Sequence, residues 1–208
     1  MALFMMLEKE RFCRFKLIKK IAFFLQILFI ILATTNISFA NFQQNLLNKI
    51  AATKTLSFDF IQTIAENEEI GSCYIKYPLL MKCDYENFKQ KSVISNGRTV
   101  VVIKKKYKKI YYYPIRTTLL FTILQKERIL NLIKNSKPTK ISSSLIEFEL
   151  IEKKSSKLKI FFDKNSLEFK GWETKDSYSN NVSFIISNLK TNKIIDNEFF
   201  KIPKEEDL

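Results

Sequence analysis

Two cysteines, a cluster of acids and a run of lysines are the residues of this sequence that could do chemistry. Cys73 and Cys83 stand five residues on either side of Pro78. If the chain folds back at that proline as two antiparallel strands, the cysteines face each other. Directly facing residues come within ~4.5 Å at Cα, inside the span a disulfide accepts. Two small buried thiols are the equal alternative. Glu66, Glu68 and Glu69 fall close together; paired carboxylates are the equipment of glycoside hydrolysis, whereas acids in a turn are ordinarily solvated. Lys104-Lys105-Lys106-Tyr107-Lys108-Lys109, followed by Tyr111, Tyr112 and Tyr113, suits attraction to phosphate. Lysine without arginine does not suit the reading of base edges, so no nucleic-acid partner is expected. The simplest reading is a solvated hairpin tip. Attraction to an anionic membrane surface or an acidic partner is a further option.

Histidine is absent, with a count of 0. Ser-His-Asp and Cys-His catalysis, histidine-bearing zinc sites and a histidine proton switch are thereby excluded. There is no Gly-x-Ser-x-Gly, no phosphate-binding Walker loop and no Cys-x-x-Cys. The expectation is a binding protein that is not an enzyme and carries neither cofactor nor metal.

The N-terminus reads as an export leader. Lys9, Arg11, Arg14, Lys16, Lys19 and Lys20 outnumber Glu8 and Glu10, an apolar run Ile21–Leu32 follows, and Ser38-Phe39-Ala40 has the small-x-small form of a cleavage site. The run is short of the ~20 residues a membrane-spanning helix needs. Residues 1–40 are therefore expected to be removed, leaving 41–208 as one domain, monomeric and soluble in the periplasm. An oxidising compartment of that kind permits a disulfide.

The elements that would position these residues are mostly strands. Asn41–Ala52 has helical spacing. From Thr55 the period becomes two, with Leu56, Phe58 and Phe60 on one side. Strands are expected at Cys73–Tyr77, Leu80–Tyr85, Lys91–Ile94, Thr99–Ile103 and Ile110–Tyr113, with Asn96-Gly97 as a hairpin turn. Leu119, Leu120, Ile123 and Leu124, then Ile129, Leu130, Leu132 and Ile133, return to helical spacing, split near Gln125–Glu127. Strands follow at Leu145–Glu152, Leu158–Phe162, Leu167–Thr174 and Val182–Asn188, with a last segment around Phe199–Ile202. The acids at 66–69 are expected in a loop. The sum is an α+β chain that is mainly antiparallel β meander, a curved sheet with helices on its concave side. With 46% hydrophobic residues, such a sheet is either packed solid or encloses a pocket for an apolar guest.

Several segments, in order, resemble the outer-membrane lipoprotein carrier family, LolA. They are Leu56-Ser57-Phe58-Asp59-Phe60-Ile61-Gln62, Gly71-Ser72-Cys73-Tyr74-Ile75-Lys76-Tyr77-Pro78, Met81-Lys82-Cys83-Asp84-Tyr85, Ile94-Ser95-Asn96-Gly97-Arg98, and the stretch from Phe162-Asp163 through Val182-Ser183-Phe184 to Asn188. The resemblance implies an incomplete antiparallel β-barrel closed by helices that act as a lid over an apolar cavity for lipoprotein acyl chains. It also implies cargo received from an inner-membrane ABC transporter and passed to an outer-membrane acceptor. On this reading Phe58, Phe60, Cys73, Ile75, Tyr77, Met81, Cys83 and Tyr85 line the cavity, and Leu119, Leu120, Ile123 and Leu124 belong to the lid. Two departures stand out. Tyr77 occupies the position of the family's inward arginine, and Met81 and Cys83 replace aromatic residues. An envelope lipid-binding sensor or interaction module of the same fold is the alternative.

Overall fold

The structure, a computed structural model, describes residues 42–152, 156–176 and 178–208, together with the isolated positions Lys20, Phe23 and Gln26. Apart from those three positions, the expected leader and its cleavage after Ala40 lie outside the described residues. Residues 45–208 form one compact unit.

The strands are β1 (Thr55–Ile64), β2 (Asn67–Lys76), β3 (Leu80–Tyr85), β4 (Lys91–Asn96), β5 (Thr99–Lys104), β6 (Lys109–Pro114), β7 (Lys140–Ile141), β8 (Leu145–Glu152), β9 (Ser156–Asp163), β10 (Phe169–Lys175) and β11 (Asn181–Thr191). They make one antiparallel sheet in the order β6-β5-β4-β3-β2-β1-β11-β10-β9-β8-β7, open at β6 and β7 and not closed into a barrel. Among the described residues of 42–208, three α-helices accompany it: α1 over 42–52, α2 (Leu120–Ile123) and α3 (Lys126–Asn135). Every sequential neighbour from β1 to β6 and from β7 to β11 is a hairpin. The single long-range pairing joins β1 to β11.

The acidic cluster is not a loop, as its polarity had suggested. Glu68 pairs with Thr63 and Glu69 with Gln62, so β2 already begins at Asn67. Only Ala65 and Glu66 connect the strands, and Ala65 takes a left-handed φ of 53° to make the turn. Likewise, residues 199–202 do not form a strand. The Asp196 carboxylate accepts the Glu198 amide at 2.8 Å and starts a tight turn over Asn197–Phe200. No strand site is free beside β11, which is paired on both sides.

Alternation divides the sheet into two faces. On the inner face Leu56, Phe58, Phe60, Cys73, Ile75, Met81 and Cys83 are all buried. The outer face of β4–β6 buries Ile94, Val101, Ile103 and Ile110 under Ile202 and Leu208 of the C-terminal segment. Phe199 meets Tyr74 edge-on at 5.0 Å, and Lys82 lies over its ring.

Aromatic rings cross the inner face in an unbroken series. Tyr85 meets Phe60 edge-on at 4.9 Å, Phe60 stacks on Phe184 at 4.5 Å, and Phe184 stacks on Trp172 at 4.0 Å. Phe169 and Phe162 continue it at 5.9 and 5.8 Å. Gly71 makes the first contact possible. It lies between Phe60 and Tyr85 in register, so the two rings meet across a strand that offers no side chain there. A Cβ at Gly71 would collide with the Asp84 carbonyl and fall 2.8 Å from the Phe60 ring. Gly71→Ala is therefore expected to cost about 2 kcal/mol in a denaturant melt, in the usual range for overpacking. An unchanged midpoint would show that the ring contact has slack.

Candidate ligand-binding site

The inner face of β2 and β3 is built around a disulfide. Cys73 and Cys83 are directly opposed in the ladder, 4.1 Å apart at Cα, and are bonded. The structure thus selects the bridge over the two free thiols. It closes a loop of 10 residues, for which lost chain entropy predicts about 3 kcal/mol of stability. Replacing both cysteines by alanine should lower the denaturation midpoint by that amount, and a reductant should reproduce the shift in the parent. Equal midpoints with and without reductant would contradict it.

Above this floor runs the segment that follows β6. Pro114 has no amide proton to continue the ladder, and a tight turn over Ile115–Thr117 leads into α2. The Thr118 hydroxyl donates to the Ile115 carbonyl at 2.8 Å. α2 is a single turn whose Ile123 and following Leu124 are fully buried. α3 adds buried Ile129 and Ile133. Hydrogen bonds fasten this segment at both ends of the α2–α3 junction and brace its anchor at Leu79. The Leu79 amide donates to the Leu124 carbonyl at 2.9 Å, and the Ser95 hydroxyl donates to the Leu79 carbonyl at 2.6 Å. The Lys126 ammonium donates to the Ala51 carbonyl at 2.8 Å, in the last turn of α1, and to the Thr53 carbonyl at 3.2 Å, just past it.

Between α2–α3 and the inner face lies a cavity of about 1170 Å³, above the ~300–1,000 Å³ typical of small-molecule pockets. Its apolar wall is Ile64, Val182, Leu119, Phe121 and Leu132. Its polar rim carries Arg116, Arg128, Asn131, Thr174, Lys175 and Asp176. The two guanidinium groups lie 5.6 and 5.1 Å from the centre of the Phe121 ring. Hydrogen bonds from the Asn180 side chain and from turn amides hold the Asp176 carboxyl below the usual carboxylate range, so this rim acid is ionised at neutral pH. Gln62 lines the cavity and accepts the Tyr85 hydroxyl at 2.7 Å. Burial, with the Glu69 charge nearby, pushes that hydroxyl's pKa up, so it stays a neutral donor.

Of the residues expected at the site, Phe58, Phe60, Cys73, Ile75, Met81, Cys83, Ile123 and Leu124 are buried, while Tyr77, Tyr85, Leu119 and Leu120 are half-buried. Only Leu119 borders the open cavity, and Tyr85 reaches it through Gln62. Tyr77 lies one residue past β2. Its amide donates to the Lys54 carbonyl at 3.0 Å, and burial raises its hydroxyl pKa. The rim residues Arg116, Arg128 and Thr174 had no signal in the sequence, whereas Gln62 stood in the Phe-x-Gln segment and Asp176 in the C-terminal stretch that carries the resemblance. Among the described residues no three His, Cys, Asp or Glu side chains converge to hold a metal, and no helix is long and apolar enough to cross a membrane.

The family described as outer membrane lipoprotein carrier protein LolA matches residues 51–203. No curated protein matches the chain. Similar solved structures include an uncharacterised conserved protein from Thermus thermophilus, at 7% identity and a TM-score of 0.49, covering 79% of this chain and 94% of that one. A LolA superfamily protein from Nitrosomonas europaea has 10% identity and a TM-score of 0.42, covering 76% and 97%. The MucA/MucB complex of Pseudomonas aeruginosa has 9% identity and a TM-score of 0.47, covering 78% and 60%.

Proposed function

Because this chain belongs to the LolA family of outer membrane lipoprotein carrier proteins, we propose that it is a periplasmic carrier that shelters lipoprotein acyl chains between the inner and the outer membrane. The observation that supports this most is the cavity between α2–α3 and the inner face, apolar within and rimmed by arginine. An acyl chain in water costs ~0.8 kcal/mol per CH₂, so a soluble carrier must offset that with apolar wall. Leu119, Phe121, Leu132, Ile64 and Val182 supply it. The cargo's polar end would remain at Arg116 and Arg128. Opening α2, whose Ile123 and following Leu124 are buried, would extend the cavity over the inner face. Cargo would come from an inner-membrane ABC transporter and leave to an outer-membrane acceptor.

Native mass spectrometry of the chain purified from an envelope fraction tests this. An acylated species should co-purify, and a palmitoylated peptide should bind where its unacylated form does not. Leu119→Glu places a charge on the apolar wall at a half-buried position and should weaken binding of the acylated peptide at least tenfold with little change in melting temperature. A chain that stays ligand-free after incubation with acylated peptide overturns the carrier reading.

A further inference from the structure

The lysine run is not accounted for by the cavity. It occupies the turn between β5 and β6, where Lys105–Tyr107 form a tight turn and Lys108 takes a left-handed φ of 49°. Beside it, at the same end of the sheet, is the 86–90 connection between β3 and β4. The Lys105 amide donates to the Gln90 carbonyl, which holds the two turns together. Phe88 projects from the second turn at 76% exposure, and Tyr107 from the first at 50%. The Lys106 ammonium lies over the Phe88 ring, and the Lys104 ammonium lies 5.2 Å from the centre of the Tyr111 ring. Lys105, Lys106, Lys108 and Lys109 are exposed, and among the described residues none of them makes an ion pair. Of the nearby acids, Glu69 is engaged by Lys91 and Asn87 and Glu205 accepts the Ile110 amide at 3.4 Å; Glu86, in the second turn, is exposed and is outnumbered by the lysines.

We propose that these paired turns dock on the headgroup layer of an anionic lipid membrane. A hydrated cation cluster gains attraction from a negative surface without needing fixed partners, and it falls away within a Debye length. Tyr107, with a wet hydroxyl and a dry ring, favours the headgroup region, and the exposed Phe88 ring adds apolar surface that the boundary with the acyl chains can bury. An acidic protein or a nucleic acid would account for the lysines but leaves Phe88 exposed beside them without a role; a headgroup layer takes both. This surface is separate from the cavity and does not depend on the carrier reading.

The test is co-sedimentation of the full chain with vesicles of phosphatidylglycerol in phosphatidylcholine and with phosphatidylcholine alone. The parent should bind only the anionic vesicles, with an affinity that falls as salt rises. K105Q/K106Q/K109Q should weaken binding about 100-fold, from roughly a factor of five per lysine, and Phe88→Ser several-fold. The charge-matched control K134Q/K164Q/K190Q, at exposed sites elsewhere, should lose much less. Melting temperature and acyl-peptide binding, measured on the same variants, should be unchanged. No binding to anionic vesicles, equal binding to phosphatidylcholine, or equal loss in the control overturns the proposal. So does tighter binding of the parent to single-stranded DNA or a polyglutamate than to the vesicles.

Discussion

Ile123→Ala should bind an acylated peptide about tenfold more tightly than the parent chain and should also melt earlier. Ile123 is 1% exposed in the single turn of α2, and on the proposed carrier reading its side chain fills space that cargo would claim. Isoleucine-to-alanine changes in a core cost about 2–5 kcal/mol. Only the part of that cost present when α2 is closed and absent when it is open alters affinity. About 1.4 kcal/mol of such difference gives the tenfold change. The sign is the informative part. A helix that competes with cargo gives tighter binding on truncation, and a helix that contacts cargo gives weaker binding. Fluorescence titration with a labelled palmitoylated peptide, beside a denaturant melt, separates the two. Lower stability with unchanged affinity would make α2 a purely structural element.

The largest loss of stability is expected from Phe184→Ala, at about 3–5 kcal/mol. Phe184 is 4% exposed and is the hub of the ring series, stacked on Phe60 and Trp172 and edge-on to Phe58 at 6.3 Å. It pairs in register with Gln62 on β1 and Trp172 on β10. Its loss leaves three rings without a common neighbour in the middle of the sheet. Gln62 would lose its packing partner as well, so the Tyr85 hydroxyl bond should weaken. Phe184→Leu keeps most of the volume and should recover more than half the loss. Equal destabilisation by both substitutions would mean that ring stacking, and not filled volume, holds the seam.

Much of this was legible in the residues. Leu56, Phe58 and Phe60 announce a strand by alternation, Asn96-Gly97 marks the hairpin of β4 and β5, and Cys73 and Cys83 face each other because Pro78 lies midway between them. The inward side of β2 and β3 also follows from parity, since Cys73, Ile75, Met81 and Cys83 share one face. The cavity was not legible, because its wall is assembled from β1, β10, β11 and the helical segment. Arg116 and Thr174 come to line one cavity only once β1 has paired with β11, and no local pattern encodes that pairing. The C-terminal segment misled for a different reason. Phe199, Phe200 and Ile202 look like strand residues, but their apolar surface is used to cover the outer face, and both sides of β11 are taken.

The pairing of β1 with β11 also sets an order of events. Strands β2 to β6 and β7 to β11 are chains of hairpins, which close short loops and form fast; β1 must find a partner more than a hundred residues away. Until Asn181–Thr191 exists, one side of β1 presents unpaired amides and carbonyls, and Phe60 lacks Phe184 to stack on. The seam that organises the inner face is thus the last part to be completed, and a chain caught before that step exposes both an open strand edge and its most aromatic surface. Such a species is one that a holding chaperone would recognise and that aggregates if unattended.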